Sequence, residues 1–333
     1  MNAGRPRKGI RFLAMAGALA LGLTACSSGG GKPSTEDSSA DGAPAAASSG
    51  LTIAMVTHEA PGDSFWDKIR AGATASAKAH GIDLKYSNDP EASGQATKIQ
   101  NAVASKVDGI AVTLSKPDPL APAVKAALDA KIPVVAFNSG IKDYKRVGVS
   151  MYFGSDEDLA GKSAGERLTK AGAKKAICVV QEQGSVALEA RCAGLKSTFA
   201  NTENLNVNGT DLPGVQSTLQ AKLQEDPSID YIVTLGAPFA LAALDSVKNA
   251  NSKAKVATFD LNADAAQAIQ DGTIDFSVDQ QPYVQGYEAV DSLWRQLTNG
   301  NDIGGGLPVL TGPSFVDSSN IAQILPYAKK NTR

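Results

Sequence analysis

Histidine is nearly absent from this 333-residue chain, which has only His58 and His80. The sequence also lacks paired side chains at metal-ligand spacing and a Gly-rich phosphate loop of the Walker or dinucleotide type. A Gly-x-Ser-x-Gly nucleophile elbow, which a catalytic triad built on His58 would need, is missing as well. We therefore expect no enzymatic activity, no cofactor and no bound metal ion.

Excess positive charge is also missing, because the formal net charge is −2. A nucleic-acid-binding protein would carry a basic surface, so we expect no nucleic-acid partner. Aromatic residues make up only 5% of the chain, with two tryptophans, whereas 43% of residues are hydrophobic. That hydrophobic content is sufficient for one large core or two moderate ones.

Long hydrophobic runs are absent, and the one notable run, "FLAMAGALALGL", is too short for an ordinary membrane span. Four basic residues between positions 5 and 11 precede it and small residues follow, which is typical of a signal peptide over residues 1–25. The ending "LTAC" resembles the lipobox of bacterial lipoproteins. This resemblance implies that Cys26 is lipidated and becomes the new N-terminus. The lipid would anchor the protein to the cell membrane, on its extracytoplasmic side. A plain signal peptide with an incidental cysteine is the alternative.

Residues 26–50 combine Cys26 with a stretch of Ser, Gly, Ala and Pro that has almost no bulky apolar side chains. Such a stretch cannot bury enough surface to offset the entropy of ordering, so we expect a flexible tether. The remaining cysteines, Cys178 and Cys192, form an even number in an exported domain, which favours a disulfide. Closing this loop is worth roughly 3 kcal/mol in the chain-entropy model. Two buried free thiols are the alternative.

From Leu51 onward, apolar β-rich runs, with "RVGVSM" and "LNVNGTDL" among them, alternate with helical patterns of 12 to 18 residues. This alternation predicts an α/β fold with parallel sheets covered on both faces. About five strand–helix units precede residue 152 and about five follow it, which indicates one architecture used twice. Ligands of open parallel sheets bind beyond the carboxyl ends of the strands, so two facing lobes would form a shared cleft. Polar and aromatic segments follow the predicted strands, among them "HEAPGDSFW", "SKPD", "NSG", "EQGSVALEAR", "DLNAD" and "QQPY".

Five segments, in this order, carry a resemblance to a known family: "GDSFWDKIRAGA", "DGIAVTLSKPDPLAPAVKAALDAKIPVVAFNSG", "GSVALEARCAGL", "VATFDLNADAAQAI" and "DQQPYVQGYEAV". With them the chain resembles the type I solute-binding proteins of bacterial ABC transporters, in the ribose- and galactose-binding superfamily. The resemblance implies two Rossmann-like lobes joined by three hinge crossings, near Gly154, Tyr283 and Pro313. The N-terminal lobe would comprise residues 51–153 and 283–312, and the C-terminal lobe residues 154–282 and 313–333.

The same resemblance implies a set of ligand-binding residues in the cleft. From the first lobe it selects Asp63, Phe65, Trp66 and Asn138; from the second lobe and a crossing, Arg191, Asp260 and Gln280. Flat aromatic faces pack on the apolar face of a sugar ring, and an Arg fork suits two neighbouring hydroxyls. Several alternatives stay open: Trp66 as a core residue, Arg191 paired with Glu189 or Glu182, and Gln281 in the role of Gln280. His58 is an additional candidate ligand group, and Glu59 another.

Two departures from ribose-binding proteins bear on the ligand. Asn138 takes the place of an acid, and Ser139 replaces the usual Arg, so hydroxyl recognition remains but a charge-assisted pair does not. "GAPF", at 236–239, replaces an Asn–Asp pair with side chains that cannot hydrogen-bond. The sequence therefore does not favour ribose itself, and leaves a polyol, another pentose or hexose, or a furanone.

The function that this resemblance implies is the extracytoplasmic binding component of an ABC importer. It would bind a small sugar or polyol, close about the hinge and deliver the ligand to the permease subunits, and we expect a monomer. A sensory binding protein that presents a sugar-like signal, such as a furanone or nucleoside, to a membrane receptor is the alternative. Sugar-responsive repressors share this body, but their DNA-reading segment would stand where this chain has a signal and tether.

Overall fold

The computed structural model describes residues 48–333, so the predicted signal peptide, Cys26 and most of the tether lie outside the described residues. Within residues 48–333, no helix combines the length and the apolar character that crossing a bilayer requires. Twelve strands were assigned in this part of the chain: β1 Thr52–Thr57, β2 Asp83–Asn88, β3 Gly109–Thr113, β4 Val134–Phe137, β5 Met151–Ser155, β6 Ala176–Val180, β7 Thr202–Asn206, β8 Tyr231–Thr234, β9 Lys255–Phe259, β10 Ile274–Asp279, β11 Val309–Gly312 and β12 Ser314–Asp317.

These strands form two six-stranded sheets, in the orders β11-β5-β4-β3-β1-β2 and β12-β10-β9-β8-β6-β7. Neighbouring strands are parallel throughout, except that β12 runs antiparallel to β10. The central strands, such as β3 and β8, are buried along their whole length, as expected for sheets covered on both faces. The predicted α/β fold of two Rossmann-like lobes is therefore confirmed.

The helices of the described residues connect these strands in the βαβ manner. They are α1 Phe65–His80, α2 Ala92–Ala104, α3 Pro117–Asp129, α4 Glu157–Lys170, α5 Val186–Thr198, α6 Leu212–Glu225, α7 Ala237–Asn249, α8 Ala263–Gln270, α9 Pro282–Asn299 and α10 Ile321–Lys329. Each sheet has an apolar core on both of its faces, which makes four clusters of buried side chains in the described residues.

The chain passes between the two lobes three times. It leaves the first sheet after β5 to enter α4, returns after β10 through Gln280 and Gln281 into α9, and crosses again between β11 and β12. These passages lie beside the positions Gly154, Tyr283 and Pro313 taken from the resemblance. The residue boundaries of the lobes themselves stay a prediction.

In each lobe, one helix that follows a crossing packs unusually closely against another helix. A Cβ on Gly72 of α1 would lie 1.9 Å from the carbonyl oxygen of Tyr283 in α9, so only glycine permits this approach. In the second lobe, a Cβ on Gly161 of α4 would lie 2.1 Å from the carbonyl oxygen of Arg191 in α5. The helices that follow two of the crossings, α9 and α4, therefore pack directly against α1 and α5, which carry candidate site residues.

Two predicted strands differ from the structure. The segment "RVGVSM" was expected as the fifth strand, but β5 begins only at Met151, because Gly148 has φ 90° and Arg146 is exposed, whereas Tyr152 and Phe153 are buried. The segment "LNVNGTDL" was expected as a strand, but β7 ends at Asn206 and the rest is a polar loop before α6. Cys178 of β6 and Cys192 of α5 are joined as a disulfide, with Cα atoms 5.8 Å apart.

Candidate functional site

The carboxyl ends of the strands in both sheets surround one cavity of about 810 Å³. All eight residues selected from the sequence line it: His58, Asp63, Phe65, Trp66, Asn138, Arg191, Asp260 and Gln280. The structure thus brings together side chains separated by more than 200 positions in the sequence. That they contact a ligand stays a prediction.

The first-lobe wall is built by the segment between β1 and α1. The Phe65 and Trp66 rings meet edge to face with centroids 5.2 Å apart, and the His58 ring meets Trp66 in the same manner at 4.8 Å. Phe65 and Trp66 are 8% and 4% exposed and also belong to the lobe's core, so the core alternative for Trp66 and the cavity role coexist. This wall offers a preformed aromatic surface to the apolar face of a ring.

Hydrogen bonds hold the polar groups at this wall in place. The His58 Nδ1 atom lies 2.7 Å from Thr113 Oγ1, and Asp63 Oδ1 accepts from the Phe65 backbone N–H at 3.0 Å. Burial lowers the pKa of His58, although nearby Glu182 opposes the shift, and burial raises the pKa of Asp63. At neutral pH the His58 ring is therefore neutral and can donate or accept a hydrogen bond.

Asn138 and Asp260 occupy equivalent turns in the two lobes. Each directly follows the fourth strand of its lobe, each has φ 64°, and each backbone N–H donates to the neighbouring strand. The acceptors are the carbonyls of Phe153 and Val278, at 2.8 and 3.0 Å. The left-handed turn ends the strand and fixes where the side chain begins, which is unusual for a residue other than glycine.

Asp260 is a buried acid: one carboxylate oxygen accepts a hydrogen bond from Gln280, and the other lies near the Arg191 guanidinium. Its Oδ1 accepts from Gln280 Nε2 at 2.8 Å, while Oδ2 lies 3.9 Å from Arg191 Nη1, which is beyond hydrogen-bond distance. Burial raises the pKa of Asp260 to about 7, despite the opposing effect of Arg191. A ligand hydroxyl between these two groups could donate to Asp260 and accept from Arg191.

Arg191 is not the helix-surface side chain that one alternative foresaw, since it is 3% exposed. Instead of Glu189 or Glu182 it binds Glu157, with Nε at 2.5 Å and Nη2 at 3.1 Å from the two carboxylate oxygens. Its Nη1 donates to the Leu235 carbonyl at 3.3 Å, and the guanidinium lies 4.8 Å from the centroid of Phe259. Glu157, in the first turn of α4, had no sequence signal to distinguish it from other acids at helix starts.

An amide network joins Asp260 to the second crossing. Gln280 Oε1 accepts from Asn138 Nδ2 at 3.3 Å and from Gln285 Nε2 at 2.9 Å. Gln285 Oε1 accepts from Asn138 at 3.3 Å, and Thr311 Oγ1 donates to the Gln280 carbonyl at 2.6 Å. The cavity floor is therefore a continuous set of hydrogen bonds between both lobes and the hinge. Gln281 donates to the Thr311 carbonyl instead, so of these two neighbouring glutamines it is Gln280 that lines the cavity.

The lobes also touch at the mouth of the cleft. The Val186 N–H donates to the Ser115 carbonyl at 2.9 Å. Glu182 of the second lobe lies 3.7 Å from His58 Nε2 and 3.5 Å from Lys116 Nζ of the first lobe. Lys116 and Glu182 are cavity residues that the sequence analysis did not select, although both stand in segments it placed after strands.

Two further expectations can be compared with the structure. Glu59 is bonded to Arg70, and Tyr86 Oη donates to its Oε2 at 2.6 Å, so its carboxylate supports the β1–β2 edge rather than the cavity. Gly236 and Phe239 of the "GAPF" segment line the second-lobe wall. This wall supplies backbone groups and an apolar ring, as its composition implied.

A family model described as "Periplasmic binding protein domain" matches residues 53–302. The chain belongs to this family. The prediction of a type I periplasmic binding protein, made from the five segments, is therefore confirmed, and the family implies a location outside the cytoplasm.

A carbohydrate transporter of Acidothermus cellulolyticus 11B, solved in complex with myo-inositol, is 55% identical to this periplasmic binding protein. Its structure superposes with a TM-score of 0.84, and the match covers 85% of this chain and 99% of that one.

Two curated relatives are more distant. The xylose/arabinose-binding protein XylF of Sulfolobus acidocaldarius is 25% identical over 68% of this chain, and the xylitol-binding protein of Mycolicibacterium smegmatis is 26% identical over 72%. The chain spans 61% and 66% of the lengths of these two relatives.

Proposed function

We propose that this protein is the solute-binding component of an ABC importer and that it binds a small polyol, with myo-inositol as the first candidate. A pentose or hexose is the broader class. Acidic, amide and guanidinium groups from both lobes converge with an aromatic wall on one cavity, and this observation carries the proposal. The myo-inositol complex of the relative at 55% identity supports the choice of polyol.

The side chains match the chemistry of a neutral polyhydroxylated ring. Asp260 and Asp63 accept from hydroxyls, Arg191 donates to them, and Asn138 and Gln280 can do both. Trp66 and Phe65 face the apolar side of the ring. Asp63, Glu182 and Asp260 among the cavity-lining acids give the site no excess of positive charge that would select an anionic ligand.

Import follows from closure. A ligand that bonds Asn138 on one lobe and Arg191 and Asp260 on the other stabilises the closed form, because it interacts with both lobes only there. The crossings between β5 and α4, β10 and α9, and β11 and β12 serve as the hinge in this proposal. The lobe boundaries that the resemblance implied, 153/154, 282/283 and 312/313, lie within three residues of these crossings.

Three finer points belong to the same proposal. The lipid at Cys26 holds the protein at the outer face of the cell membrane, next to the permease subunits that receive the ligand. The protein acts as a monomer that binds without chemical conversion. Cys178 and Cys192 form a structural disulfide in the oxidising environment outside the cell.

The experiment is thermal unfolding and calorimetric titration of the purified protein with myo-inositol, xylitol, D-xylose, L-arabinose and D-ribose. A ligand at a hundred times its dissociation constant adds about 2.7 kcal/mol to the free energy of unfolding. We expect myo-inositol to raise the melting temperature by a few degrees and ribose to leave it unchanged. Failure of every polyol and sugar to shift the melting temperature would exclude the proposed ligand class.

A further inference from the structure

Glu157 contacts the Arg191 guanidinium at nitrogens other than Nη1, which is the nitrogen closest to Asp260. Its two carboxylate oxygens hold Nε and Nη2 of the guanidinium, and both side chains are nearly fully buried. Two parallel bonds fix the plane of a guanidinium as well as its position. Arg191 therefore has one defined orientation before any ligand enters.

Asp260 competes with Glu157 for the same cation. Arg191 Nη1 is 3.9 Å from Asp260 Oδ2, so a small displacement of the guanidinium would create a direct ion pair. Such a pair would occupy the donor and the acceptor that a ligand hydroxyl needs. The observed separation leaves Asp260 Oδ2 and the Nη1 hydrogen that is not bonded to the Leu235 carbonyl available to a ligand.

The backbone explains why Glu157 can hold this position. Gly161 and Gly194 let α4 and α5 approach so closely that a Cβ on Gly194 would lie 2.3 Å from the Asp158 carbonyl oxygen. Asp156 caps α4 by accepting from the Leu159 N–H at 3.0 Å, which fixes the first turn directly after the first crossing. Glu157 is thus anchored between the hinge and the cavity.

We infer that Glu157 is a positioning residue for ligand binding, which holds the Arg191 guanidinium away from Asp260 and so keeps the two groups available to the ligand. The inference rests on the proposed function only in treating Arg191 and Asp260 as ligand-binding groups. Glu157 itself acts through Arg191.

The test is Glu157→Gln, which keeps the shape of the side chain but removes its charge and one of the two acceptors. The matched control is Asp317→Asn, because Asp317 pairs with Arg167, which also stacks on phenylalanine rings in the same lobe but lies outside the cavity. With myo-inositol as the probe, we expect Glu157→Gln to bind about 10- to 100-fold more weakly, as when partners of metal ligands are removed. Asp317→Asn should bind as the unaltered protein does, and equal affinity in Glu157→Gln would overturn the inference.

A second readout separates positioning from general destabilisation. The charged groups close enough to affect the titration of Asp260 are Arg191, Glu157, Asp279 and Lys68, on α5, α4, β10 and α1. In Glu157→Gln the loss of the Glu157 charge and the approach of Arg191 both lower the pKa of Asp260, so the pH midpoint of its titration, followed by carboxyl NMR in the ligand-free protein, should move to lower pH. A loss of packing alone would leave that midpoint in place.

The ligand-free crystal structure of Glu157→Gln distinguishes failure of the inference from failure of the proposed function. We expect Arg191 and Asp260 within hydrogen-bond distance; a separation that stays near 3.9 Å would overturn the inference whether or not myo-inositol binds. If the unaltered protein does not bind myo-inositol or xylitol, the proposed function fails while this structure still decides the role of Glu157. Should Glu157→Gln not fold, Glu157→Asp retains the charge with a shorter reach, and its unchanged Arg191 position and affinity would also contradict the role.

Discussion

The two lobes use the same turn to place different side chains. After the fourth strand of each lobe the backbone enters the left-handed region at φ 64°, with Asn138 in the first lobe and Asp260 in the second. In both turns a hydroxyl from the next strand secures the carbonyl: Tyr152 Oη donates to the Asn138 carbonyl at 2.8 Å, and Ser277 Oγ to that of Asp260 at 2.6 Å. The scaffold is shared, and the chemistry is not.

This difference assigns a distinct task to each lobe. Asn138 donates to Gln280 and Gln285 and belongs to a neutral network at the hinge. Asp260 faces Arg191 and carries a pKa raised by burial to about 7. Of these two turns, the one in the first lobe therefore supplies neutral hydrogen bonds, and the one in the second lobe supplies charge.

The largest effect on affinity is expected when the carboxylate of the second-lobe turn is removed. Asp260→Ala removes the acceptor of the ligand hydroxyl and leaves Arg191 without a second acid, which should weaken binding of myo-inositol by at least about 100-fold. Calorimetry checks the affinity, and circular dichroism the fold. An unchanged affinity in a folded variant would remove Asp260 from the site.

Placing an aspartate in the first-lobe turn as well should destabilise the protein. Asn138→Asp replaces a donor with an acceptor facing the Oε1 atoms of Gln280 and Gln285. A buried unsatisfied group costs about 1–3 kcal/mol, so the free energy of unfolding should fall by that amount. Urea denaturation measures it. A variant as stable as the unaltered protein would mean that the amide network can reverse its donors without loss.

The charge of the second turn should be visible in the pH dependence. Because the pKa of Asp260 is raised from 3.8 to about 7, the ligand-free protein binds a proton there that the unfolded chain releases. Its stability should therefore fall as pH rises from about 4 to 7, relative to Asp260→Asn. Parallel urea denaturation series of the two proteins measure this difference.

Affinity should change in the opposite sense, because an ionised carboxylate is the stronger acceptor of a ligand hydroxyl. Binding of myo-inositol should strengthen as pH rises through about 7. In Asp260→Asn this dependence should disappear. Titrations on both sides of neutrality give the result, and an equal slope in both proteins would assign the titration to another group.

The smallest effect is expected at the cleft mouth, where the lobes meet through Glu182, His58 and Lys116. Partly exposed ion pairs contribute at most about 1 kcal/mol, so Glu182→Gln should weaken binding by no more than about fivefold, through faster release. Asp129→Asn, which breaks the exposed pair with Lys125, is the control. Stopped-flow kinetics measures release; a loss as large as that of Asp260→Ala would place Glu182 among the main binding groups.

Much of the site was predictable because it lies at strand ends. Parallel strands align their carboxyl ends, so a polar residue after a buried run, such as Asn138 after "VVAF" or Asp260 after "VATF", must reach the cleft. Gln280 likewise directly follows β10, whereas Arg191 lies within α5 and was identified through the family resemblance.

Other features were not predictable, because they depend on distances between elements. The pairing of Glu157 with Arg191 requires two helices in contact through glycines, and Glu157 looks like any acid at a helix start. The true start of β5 depends on which apolar residues the sheet buries, since Val147 and Val149 are also buried outside a strand. Local sequence does not report which buried segment becomes the strand.

The most direct test of the two-lobe account is a crystal structure of the protein with myo-inositol. The account predicts one ring in the cavity, with hydroxyls bonded to Asn138 from the first lobe and to Asp260 and Arg191 from the second, and with one face against Trp66. A ring held by a single lobe, or an empty cavity at saturating myo-inositol, would contradict it.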